Sequence, residues 1–102
     1  MKRGEIWTYT PALSDGTPLP RRSTVVLVSD PAVIGSPYRW VHVVPVVQND
    51  PGHVLGVYTD YGWVDALELH RAYRPWLSTH VGMLTAEETE ALDASLRATL
   101  SL

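Results

Sequence analysis

The chain has 102 residues, of which 45% are hydrophobic and 19% charged, and it has no cysteine. That suits one compact domain spanning residues 1–102, and it excludes a disulfide framework, a thiolate nucleophile and a zinc–thiolate site. The net charge of −3 argues against non-specific binding along nucleic acid, but the acid excess is local: Glu87, Glu88, Glu90 and Asp93 stand against Arg97 alone in residues 85–102.

"EIWTYT" (5–10) is aromatic and β-branched and predicts a first strand. "PALSDGTPLP" (11–20) gathers proline, glycine, serine and aspartate and predicts a long loop. "STVVLVSD" (23–30) is a short continuous apolar run, the pattern of a central strand. "PAVIGSPY" (31–38) is a punctuated connection, and "RWVHVVPVVQ" (39–48) predicts another strand. Pro45 lacks a backbone donor and predicts an edge, a bulge or a strand end there.

"NDPG" (49–52) is a turn signal, and "HVLGVYTD" (53–60) predicts a strand. "WVDALELH" (63–70) predicts a further strand, although Ala-Leu-Glu-Leu also suits a helix. Residues 71–84 are mixed, with a break at Pro75. Thr85 followed by Glu88 is a capping box, and Leu92, Leu96 and Leu100 then form one apolar stripe. The expected fold is mainly β: a small, strongly curved sheet or barrel closed by a C-terminal helix. The N-terminus has no signal-peptide core, and the apolar run at 41–47 is too short to span a bilayer, so a cytoplasmic protein is expected.

Several residues carry candidate chemistry, each with a plain alternative. Arg21 and Arg22 are either solvated charges at a strand entrance or a planar cationic fork for phosphate. Glu68 and His70, two apart on a strand, would share one face and could share acid–base work; the alternative is the polar face of an amphipathic strand. His42 lies in an apolar strand and reads as a core histidine. The four histidines show no compact metal-ligand spacing, so neither a metal nor another cofactor is expected. "QNDPG" offers amides and a carboxylate at a strand end, but suits a turn. Trp40, Trp63 and Trp76 could stack bases or serve packing. No Gly-rich phosphate loop or nucleophile elbow is present.

Taken in order, "RGEIW" (3–7), "PRRSTVVLVSD" (20–30), "HVVPVVQND" (42–50), "ALELHRAY" (66–73) and "HVGMLTAEETEALDASLRATLSL" (80–102) resemble the blocks of the MazF/Kid (PemK-like) toxin family. The resemblance covers nearly the whole chain. It implies an SH3-like barrel assembled as a homodimer, blocked by a cognate antitoxin, that cleaves single-stranded RNA at specific sequences without metal. On this resemblance Arg22 takes the place of the family's arginine as charge clamp and proton donor. Glu68 takes that of its carboxylate as base. His70 is a helper by strand parity. Arg21, Ser23, Gln48, Asn49 and Arg71 would contact RNA.

Three positions depart from the family pattern. Its "RP" is Arg22-Ser23 here, its threonine is Val47, and Ala66 stands where some members have a second arginine. Valine cannot hydrogen-bond, so the resemblance supports the fold more firmly than the cleavage. The rival reading is a CcdB-like toxin that binds DNA gyrase, although "RATLSL" lacks the aromatic end of that group. A third reading is a non-catalytic member of the same fold. No reading involves a membrane.

Overall fold

The computed structural model describes residues 1–13, 15–17, 19 and 22–101. The chain forms β1 (Glu5–Tyr9), β2 (Ser23–Leu27), a short α1 (Pro31–Ile34), β3 (Trp40–Val47), β4 (Gly56–Thr59), β5 (Gly62–Asp65) and β6 (His70–Tyr73). A 3-10 turn (Arg74–Trp76), β7 (Leu77–Met83) and α2 (Ala86–Leu100) follow. The protein is mainly β with a C-terminal helix, as its pattern predicts.

All strand pairs are antiparallel, in the order β4-β5-β3-β2-β1-β7, with β6 beside the first half of β3. The sheet does not close into a barrel among the described residues, since β4 and β7 end the paired path. Its ends approach through a side chain instead. The Tyr61 hydroxyl, in the β4–β5 turn, occupies the space a Cβ at Gly82 of β7 would need.

The central strands read as continuous apolar runs because both faces of the sheet are covered. Ile6, Val26, Val44, Val46 and Val64 pack in one core with Leu92 and Leu96 of α2. Val25, Leu27, Val41 and Val43 pack in the other with Ile34, Ala72 and Leu77. Burying each Leu or Val side chain contributes about 1.5–3 kcal/mol.

Helix α2 starts at the predicted capping box. The Glu88 N–H donates to Thr85 Oγ1 (3.1 Å), and the Thr85 N–H donates to Glu88 Oε1 (2.9 Å). The stripe docks at Leu92 and Leu96, but Leu100 is 48% exposed. Arg3 Nη1 lies 2.7 Å from Asp93 Oδ1 and ties the start of the chain to the helix. These charges touch without an aligned hydrogen bond.

Three expectations change, and that for Pro45 is met by a local edge inside a strand. The single strand at 63–70 is two strands: Asp65 Oδ1 accepts the Leu67 N–H (3.1 Å) and the Asp65 carbonyl accepts the Glu68 N–H (3.3 Å), which turns the chain between β5 and β6. Pro45 lies inside β3 rather than at an end. It pairs with Val25 on one side; on the other, β6 stops at Val43 and β5 starts at Val46, so the proline falls between two partners. His42 is exposed, because it lies along β3 beyond Val44 and Val46, which α2 covers. The 31–38 connection contains α1, capped by Asp30 Oδ1 on the Ala32 N–H (2.8 Å).

Candidate functional site

The strand register divides the predicted site residues into two groups along β3. Thr24 pairs with Val46. The ladder ends there, and Ser23 and Arg22 lead into β2 at the end of the ladder where β3 finishes at Val47. Arg22, Ser23, Gln48 and Asn49 are all exposed there. Gln48 Nε2 donates to the Tyr61 carbonyl (3.3 Å), which fixes this side chain against the β4–β5 turn. Val47, at the position where the resembling family has a threonine, pairs with Trp63 and offers no hydroxyl. Arg21 lies outside the described residues.

The second group sits at the other end. His70 pairs with Val43 and Arg71 with His42. Glu68 lies in the turn before β6, not on a strand, yet its carboxylate meets the imidazole: His70 Nε2 is 3.2 Å from Glu68 Oε2. Both side chains are more than half exposed, so a substrate can reach the pair. The turn held by Asp65 makes this contact, in place of the strand parity expected. Arg71 projects over the Trp40 ring, its guanidinium carbon 5.0 Å from the ring centre.

From Val43 to Gln48 is five residues of extended strand, roughly 16 Å, and β2 and β6 flank β3 on opposite sides. The register thus sets Arg22 toward one end of β3 and the His70 pairing toward the other.

A third titratable cluster was not singled out in the sequence. Glu5 Oε1 accepts the Lys2 backbone N–H (2.8 Å) and the Trp7 indole N–H (3.2 Å), and its Oε2 lies 3.7 Å from His80 Nε2. The His80 ring stacks on Trp7 with centroids 5.2 Å apart. Burial pushes the Glu5 carboxyl up, but these two hydrogen bonds and the nearby His80 outweigh it and hold it below its ordinary value. The signal in the sequence was alternation: Glu5 and Trp7 share one face of β1.

Among the described residues no group of three His, Cys, Asp or Glu side chains could hold a metal ion. No helix is long and apolar enough to cross a membrane.

No family model and no curated protein matches the chain. Solved structures do. One, described as an endoribonuclease in complex with its cognate antitoxin from Mycobacterial species, superposes with a TM-score of 0.82 at 18% identity, covering 100% of this chain and 96% of that one. The MazE-MazF complex (Form-III) from Deinococcus radiodurans gives 0.80 at 15% identity, covering 100% and 97%. The chain has a MazF-like fold. The Mycobacterium tuberculosis toxin MazF-mt6 adds a third likeness, TM-score 0.74 at 16% identity, covering 94% of this chain and 97% of that one.

Proposed function

We propose that this chain is the toxin of a type II toxin–antitoxin system, an endoribonuclease that cleaves single-stranded RNA at a specific sequence without metal. The observation that carries the reading is the full-length likeness to structures described as endoribonucleases, together with an exposed carboxylate–imidazole pair on the same fold. Residues 1–102 are read as one toxin domain. It works in the cytoplasm as a homodimer that a cognate antitoxin holds inactive.

In this reading Glu68 takes the proton of a ribose 2′-hydroxyl. The freed oxygen attacks the adjacent phosphorus, and protonated His70 gives its proton to the departing 5′-oxygen. The products are a 2′,3′-cyclic phosphate and a free 5′-hydroxyl. Arg22, with Ser23, Gln48, Asn49 and the neighbouring Arg21, grips the strand some two or three nucleotides away. This reading gives Arg22, which the sequence offers as the charge clamp at the reacting phosphate, a phosphate further along the strand; the register that sets the start of β2 and the start of β6 toward different ends of β3 supports it.

The test is incubation of purified protein with a mixed-sequence single-stranded RNA in EDTA. Wild type cuts and Glu68→Gln does not. RNA left intact by wild type at high protein concentration refutes the nuclease.

A further inference from the structure

Two hollows border His42, on β3. The larger, about 780 Å³, runs beneath the C-terminal end of α2, and its walls include Asp30 and Asp93, which offset Arg3 and Arg97 there. The smaller, about 590 Å³, lies between the α1 connection and the start of β3. Among the described residues no carboxylate lines it, while Arg71 and His42 do. That difference decides which one suits an anion.

The smaller pocket combines a cation, aromatic rings and a braced wall. Arg71 lies over the Trp40 indole. A guanidinium held over an aromatic face by cation–π attraction still offers its planar fork of N–H groups to a phosphate. Trp40 is in turn packed against Tyr73, with centroids 5.2 Å apart, so the platform under Arg71 is fixed. Val33 and the 59% exposed Tyr38 form the opposite wall. Arg74 holds that wall in place: it donates to the carbonyls of Val33 (3.1 Å), Ile34 (2.6 Å) and Tyr38 (3.0 Å). The volume falls within the range of pre-formed small-ligand sites.

We propose that this pocket is a nucleotide subsite, in which Arg71 takes the phosphate and the base lies against Tyr38 and Val33. The proposal rests on the RNA reading for its substrate class and extends it. Arg71 follows His70 directly, on the opposite face of β6, so a strand crossing this edge, which no strand pairs among the described residues, passes from the Glu68–His70 pair into the pocket. The pocket then fixes the nucleotide next to the one that is cut.

The probe is adenosine 5′-monophosphate, titrated into the whole chain while the Trp40 indole N–H resonance is followed, assigned with Trp40→Phe. Adenosine and inorganic phosphate are titrated alongside. The nucleotide shifts Trp40 and binds at least about tenfold tighter than either fragment. Arg71→Ala and Tyr38→Ala each weaken it by about tenfold, and Arg71→Lys falls short of wild type because lysine lacks the stacked fork. Both variants change exposed side chains, and unchanged dispersion of the other resonances verifies their fold. No shift at millimolar nucleotide overturns the proposal, as does equal binding of phosphate or adenosine alone, or a nucleotide response that both variants leave intact. RNA cleavage is scored in parallel: cutting without nucleotide binding refutes the pocket alone, and binding without cutting refutes the nuclease alone.

Discussion

His53 Nε2 lies 2.8 Å from Asp65 Oδ1, and the same oxygen accepts the Leu67 N–H. His53 Nδ1 accepts the Leu55 N–H (3.1 Å), so the ring proton is on Nε2 and points at the carboxylate. One pair therefore joins the "NDPG" turn to the 66–69 turn that carries Glu68. Both side chains are mostly covered, at 24% and 13% exposure. Removing His53 leaves a covered carboxylate short of a donor. His53→Ala is expected to destabilise the fold by about 1–3 kcal/mol in urea unfolding. Asp65→Ala should cost a similar amount, and the double variant should cost less than the sum of the two, since they share one interaction. Strict additivity would show that the two side chains stabilise the turn independently.

The division of the site along β3 predicts two kinds of defect. In the proposed nuclease Glu68→Gln and His70→Ala remove proton transfer and should lower kcat by about 10²–10⁴-fold while RNA still binds. In the same proposal Arg22→Ala removes one phosphate contact. It should weaken binding and reduce the slope of log affinity against log salt by about 0.7, with kcat little changed. The measurement is single-turnover cleavage beside RNA binding at several salt concentrations. A collapse of kcat in Arg22→Ala with binding intact would put the reacting phosphate at the Val47 end instead.

Much of the fold was legible in the sequence, and the reason differs between elements. Alternation and β-branched runs marked β1, β2 and β3, because local pattern and burial agree there. The capping box placed α2 to the residue. The 63–70 segment misled because β3 changes partner midway, from β6 to β5, and Pro45 marks that change as a short stretch of edge. No local pattern records where a distant strand begins or ends. The Glu68–His70 contact was legible as a spacing of two, but a side-chain-bonded turn achieves it. The pocket at Trp40 was not legible, since Val33, Tyr38, Arg71 and Arg74 converge from separate segments. The depth of α2's coverage, which leaves His42 and Leu100 exposed, depends on where the helix lies over the sheet and not on the periodicity of either.

Gly62 opens β5 with φ at 125°, and a Cβ there would lie 2.7 Å from the Val47 carbonyl oxygen. That oxygen is backbone and cannot swing aside. An L-residue would face both an unfavourable φ and a clash with β3. Gly62→Ala should destabilise the protein by about 2–4 kcal/mol in urea unfolding and loosen the pairing of β3 with β5. Gly52→Ala is the control: its φ is also positive, at 81°, but nothing lies within 4 Å of its would-be Cβ. It should cost only the backbone part, about 1 kcal/mol. Equal losses in the two would mean that the contact with Val47 is relieved at no cost.

The Glu5 cluster predicts the acid side of the stability curve. Its carboxylate is covered by its neighbours but lies shallow in the protein, and its folded pKa is lowered. A lowered folded pKa means that the unfolded chain binds the proton more readily. Glu5 therefore contributes stability that is fully present above the ordinary glutamate value, about 4.3, and is lost as pH falls through the lower folded value. In Glu5→Gln the carboxamide keeps an acceptor for the Trp7 indole N–H but does not titrate. The variant should be less stable than wild type above about pH 5, and the gap should narrow as the pH falls below about 4. Urea unfolding across this range measures it. A gap that stays constant down to pH 3 would show that Glu5 acts through packing and not through its charge.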